Sequence, residues 1–141
     1  MSYAPSGAMR FQTPHEVATT QSAGNLRVTA HARSLAADIY RPTAIFPVSE
    51  RYGLTAQMRR AAVSIGSNIT EGCGRSSERQ FLSFLQIAMG SACELEFQCR
   101  LAQALELAAS NDLAELLRAI QQCKRMLAKL SVNIRERAEA R

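Results

Sequence analysis

At 141 residues and 47% hydrophobic content, the chain is long enough for one domain with a real core. Its formal charge of +5 hints at weak nucleic-acid affinity and says nothing of fold. Several classes are excluded: no apolar run approaches the ~20 residues of a bilayer span, no charged start with an apolar core marks a secretory signal, and the four cysteines show no C-x-x-C spacing.

A chain this large does not need disulfide staples, which points to a reducing cytoplasm. Leu and Ala dominate and Trp is absent, which favours helix over sheet. Arginine outnumbers lysine 15 to 2. Its planar fork suits phosphates and carboxylates, although codon bias in a GC-rich genome produces the same ratio.

Residues 1–24 carry Pro5, Gly7, Pro14 and Gly24 among Ser, Thr and Gln without a period, which predicts a flexible tail. Residues 25–137 are helical in pattern. Helix one is expected over 26–46, with Val28, Ala32, Leu35, Ile39, Thr43 and Phe46 within about 80° of the wheel. Pro42 lacks an amide donor and crowds the Asp38 carbonyl, a defect of ~3 kcal/mol in a free helix. A kink there, or an early end at Tyr40, is expected. Residues 47–53 then form a connection with one loose turn.

Helix two is expected over 54–72. Met58, Ala61, Ala62, Ile65 and Ile69 fall on one face, with Gln57, Arg60, Ser64, Ser67 and Glu71 beside them as a polar edge. Gly72 and Gly74 suit a helix C-terminus that needs a left-handed residue. Ser77 with Gln80 has the spacing of a capping box.

Helix three is expected over 77–109. Phe81, Leu85, Ala88, Ala92, Leu95, Cys99 and Ala102 repeat at steps of four and three, the seam of a bundle. The opposite face holds Gly90, Cys93, Phe97, Leu101 and Ala104 where charge is expected. A helix apolar on two sides is buried on two sides, so a second copy of the chain is expected on that face.

The turn Ser110-Asn111-Asp112 offers an N-cap for helix four, over 112–135. Leu113, Leu116, Leu117, Ile120, Cys123, Leu127, Leu130 and Ile134 keep its seam. Three short connections then require antiparallel neighbours, and the fold class is all-α: an antiparallel up-down-up-down four-helix bundle.

The run from Ile39 to Gln98 resembles a known family. It carries I-Y at Ile39 and Tyr40, F-P at Phe46 and Pro47, and Y-G-L from Tyr52 to Leu54. Then come Gln57 with Arg59 to Ala61, Ser64-Ile65, Asn68-Ile69, Glu71-Gly72 and Gly74-Arg75. Phe84-Leu85, Ala88, Gly90-Ser91 and Glu94 to Glu96 complete the pattern. These motifs are similar to those of bacterial four-helix-bundle proteins first noted as reading frames in intervening sequences of large ribosomal RNA genes. The accessory proteins of diversity-generating retroelements are similar to that group. The resemblance covers about residues 26–135, departing at Thr70 and Pro42, and implies a bundle assembling as a homo-oligomeric ring, in known relatives a ring of five. It implies no enzyme.

The residues themselves offer little chemistry. GCGRSS follows no strand and precedes no Gly-Lys-Ser/Thr, so it is not a phosphate loop of that kind. The start of helix three with Arg75 beside it is either a single-anion site or an ordinary capped turn. His15 and His31 have no partner at metal-ligand spacing, and no base is positioned for Ser64, Ser67 or Cys73. No catalytic residue, metal or cofactor is expected. Cys99 and Cys123 read as small buried hydrophobes. Asn68 is expected to make a structural hydrogen bond between helices, and Glu71 to pair with Arg75 across the turn.

Arg118, Lys124, Arg125, Lys129 and Arg135 make helix four's outer face basic. Two readings stay open. In one, a ring multiplies this patch into avidity for RNA, DNA or a nucleic-acid enzyme such as a reverse transcriptase. In the other, the ring is a structural or protein-binding scaffold whose charges keep it in solution.

Overall fold

The computed structural model describes residues 23–140. They form four α-helices, α1 (Ala23–Ala44), α2 (Leu54–Cys73), α3 (Glu78–Ala104) and α4 (Ser110–Glu139), with a 3-10 turn at Val48–Glu50 and no strand. Each helix lies against two others, α1 on α2 and α4, and α3 on α2 and α4. One apolar core runs between them, from Val28 and Leu35 on α1 through Met58, Ile65 and Leu85 to Ile120 and Leu127 on α4.

The helix bounds differ from expectation at several ends, each for a local reason. α1 begins at Ala23, so the last two residues of the expected tail are helical. The remainder of that tail, 1–22, lies outside the described residues. α1 also passes through Pro42 instead of ending at Tyr40. Contacts just past Pro42 brace the turn: Thr43 Oγ1 donates to the Ile39 carbonyl at 2.6 Å, and Arg59 of α2 donates through Nε to Thr43 Oγ1 at 3.0 Å. The Arg59 guanidinium also lies over the Tyr40 ring, 4.5 Å from its centroid. The last turn is tight, with Ile45 and Phe46 donating to Pro42 and Thr43, and the helix stops there.

Glu50 reaches forward from the 3-10 turn and accepts from the Leu54 amide at 3.3 Å, placing a carboxylate at the positive end of α2. At the other end of α2 no left-handed residue appears. Gly74 has φ −83°, and Gly72 lies within the helix. Gly72 is needed for closeness instead: a Cβ there would stand 2.8 Å from Phe84 Cβ and 3.1 Å from Phe81 Cδ1 of α3. Ser77 does cap α3, accepting from the Gln80 amide at 3.1 Å.

α3 ends at Ala104, well short of residue 109. Glu106 adopts φ 53°, the Glu106 amide donates to Gln103 and the Leu107 amide to Ala102. That bond pair is a Schellman ending with glutamate where glycine is usual. α4 then begins at Ser110 after Ala109, which has no side chain to cap it, so the expected cap from the Ser110-Asn111-Asp112 turn does not form. It runs on to Glu139, past the expected end at residue 135.

Candidate functional site

α2 and α3 pack through small residues, and a polar rail follows their joint. Ser64 Oγ and Ser91 Oγ stand 2.9 Å apart across it. Asn68 was expected to bridge the helices; it instead donates within α2, to the Ser64 carbonyl at 2.8 Å and Ser64 Oγ at 3.1 Å. The reason is reach: Asn68 sits one turn from Ser64, so its amide braces the hydroxyl that makes the crossing bond. Farther along, Gln57, Arg60, Ala61, Ser64, Ser91 and Glu94 line a cleft of about 240 Å³. Gln98 stands one turn beyond, only 3% exposed, with Nε2 donating to Glu94 Oε1 at 3.2 Å.

Beside this rail lies the second apolar face of α3. Phe97 is 67% exposed, Leu101 37% and Ile87 52%. Gly90, Cys93 and Ala104 are exposed with them, and a Cβ at Gly90 would meet nothing within 4 Å. All five residues that the sequence assigned to this face are thus brought together on it. Ile87 extends it by one turn and was missed because it falls at the edge of the wheel's sector.

The basic residues divide into engaged and open. Arg75 forms a 2.6 Å ion pair with Glu71 and lies over the Phe84 ring at 4.9 Å, so the turn's cation is already matched. Lys124 lies 3.6 Å from Glu96, which also faces Arg100 at 3.9 Å. Arg125 donates twice to Gln122 Oε1, at 2.8 and 3.2 Å. Arg118, Lys129 and Arg135 are exposed. Spacings of seven and four place Arg118, Arg125 and Lys129 on one stripe of α4, while Lys124 and Arg135 share another nearer α3.

The core thiols are inert by environment. Burial pushes Cys123 from 9.0 to about 11. Burial does the same to Cys99, about 11, with Glu96 adding a little and Arg100 opposing. Cys73 is raised by burial as well. Thiols held protonated are poor nucleophiles and poor metal ligands. Among the described residues, no three His, Cys, Asp or Glu side chains are placed to hold a metal ion, and no helix is long and apolar enough to cross a membrane.

Two roles escaped the sequence reading. Arg59 stands in the sequence only as part of the Gln57 to Ala61 motif, although its contact with Tyr40 joins two of the quoted motifs. Gln98 was not singled out; its position four residues after Glu94 was the available signal.

Comparison with solved structures finds a similar chain in a crystal structure of a protein of unknown function from the S23 ribosomal protein family of Bacteroides thetaiotaomicron. It is 20% identical with a TM-score of 0.71, over 77% of this chain and 97% of that one. At that identity the likeness concerns the fold. No curated protein matches. The pattern of the family described as 23S rRNA-intervening sequence protein matches residues 24–129. On that match the chain belongs to the 23S rRNA-intervening sequence protein family.

Proposed function

We propose that the protein is a non-enzymatic, cytoplasmic, homo-oligomeric ring of antiparallel four-helix bundles that presents a repeated basic surface to nucleic acid or to an enzyme acting on it. The up-down-up-down course is supported by paired contacts: Ala32 with Gly66 and Thr43 with Arg59 between α1 and α2, then Gly72 with Phe84 and Ser64 with Ser91 between α2 and α3. The observation that carries the reading is Phe97, an aromatic well inside α3 with 67% of its surface exposed, within a contiguous apolar strip. A second copy covering that strip removes it from water. The stripe of Arg118, Arg125 and Lys129 lies on a different helix, outside that contact, and is multiplied by the number of copies. The family's name refers to intervening sequences of 23S rRNA, and structured RNA is the first ligand to try.

A salt series on RNA retention is the test. Binding driven by phosphate contacts weakens steeply with ionic strength. Arg125→Glu with Arg135→Glu abolishes retention while leaving the oligomer intact. Retention that ignores salt, or survives both changes, contradicts the reading. The scaffold alternative is favoured by one feature, the engagement of Arg75, Lys124 and Arg125 by neighbours within the chain. Under it, wild-type protein retains no RNA at any salt concentration.

A further inference from the structure

The cleft between α2 and α3 holds opposite charges that do not meet. Arg60 and Glu94 both line it and both are exposed, yet no ion pair joins them. Next to them Gln98 is buried with its amide donating to Glu94. A carboxylate only accepts, so this contact turns Nε2 toward Glu94 and leaves Gln98 Oε1 buried with no donor. What the contact does at the cleft is fix the Glu94 carboxylate from one side. The same stretch of α3 carries the exposed strip of Ile87, Phe97 and Leu101.

We infer that this cleft is half of a polar lock between copies of the chain. Arg60 of one copy enters the cleft of the next, where its guanidinium meets the Glu94 carboxylate that Gln98 Nε2 already holds in place. A guanidinium suits the place because its rigid fork of N–H donors matches the two oxygens of one carboxylate. Arg60 and Glu94 give the contact one unmatched cation and one unmatched anion beside the apolar strip. A phosphate backbone fits it poorly, since Glu94 would repel it. The lock rests on the self-association proposed above and adds what fixes its register: the apolar strip supplies attraction without direction, and the charge pair selects the alignment.

Sedimentation velocity on Arg60→Glu, Glu94→Arg and their equimolar mixture tests the lock, with circular dichroism confirming that each variant keeps its helices. Each reversal alone weakens association about 10- to 100-fold, and mixing the two restores most of it, because each then finds an opposite charge across the contact. Arg60→Lys keeps the charge but loses the fork, and recovers only part. If wild type associates and both reversals associate equally well, the lock is overturned while the α3 contact stands. If wild type remains a single subunit at micromolar concentration, the lock and the assembly fall together.

Discussion

Leu85 and Phe97 stand on the same helix, both large and apolar, yet the first is sealed in the core and the second is mostly in water. The inner seam of α3, from Phe81 to Ala102, meets α2 and α4 along its whole length. The outer strip, from Ile87 to Ala104, is left exposed by the other described residues. The contrast teaches that hydrophobic pattern reports how many faces a helix must bury, while only the packing tells which face the subunit buries by itself.

Substitutions that treat the two faces alike give the sharpest separation. Leu85→Ala empties part of a closed core and costs about 2–5 kcal/mol in urea unfolding. Phe97→Ala, measured in a dissociated subunit, changes unfolding by no more than about 0.5 kcal/mol. Equal losses would break the comparison.

Gly72→Ala comes next. The added methyl meets Phe84 Cβ at 2.8 Å, an atom tied to the α3 backbone, so the helices must part. A loss of about 1–3 kcal/mol is expected, against no loss from Gly90→Ala on the outer strip, where the methyl meets nothing within 4 Å.

A smaller effect follows from pH. Cys99 and Cys123 titrate near 11 in the fold and near 9 when unfolded. Between those values the unfolded chain releases protons that the fold retains, so stability is full below about pH 9 and declines as pH rises toward 11. The urea midpoint therefore falls between pH 8 and pH 10, and Cys99→Ala with Cys123→Ala flattens that part of the fall. Smallest is Glu106→Gly, which relieves a left-handed residue at the end of α3 and raises stability by about 1 kcal/mol.

Periodicity made most of the fold legible. Every residue it assigned to the inner faces of α1 and α2, and to the seam of α3, is buried. It failed where a single contact outweighs a local rule. Pro42 is expected to kink α1 or end it at Tyr40, but the helix continues to Ala44, where Thr43 and Arg59 support the turn. The glycines after Ile69 suggested a left-handed cap, whereas Gly72 is spent on helix approach. Glu106 gives no hint of a left-handed end, so α3 was drawn too long. The outer strip was legible because five apolar residues share a face opposite a complete seam. The state of the cations was less so, since Lys124 finds Glu96 on another helix and spacing within α4 does not reveal it. Gln98 shows the same limit: its burial depends on how α3 leans on its neighbours.

The central claim is that the outer strip of α3 is covered by another copy of the chain. Sedimentation velocity at micromolar concentration, on wild type beside Phe97→Asp and Leu101→Asp, tests it most directly. Wild type is predicted to sediment as a species several times the 15.5 kDa subunit, and each variant as one subunit with its helicity kept, because an unpaired charge cannot be buried there cheaply. A wild type that runs as one folded subunit, or variants that stay assembled, would contradict it.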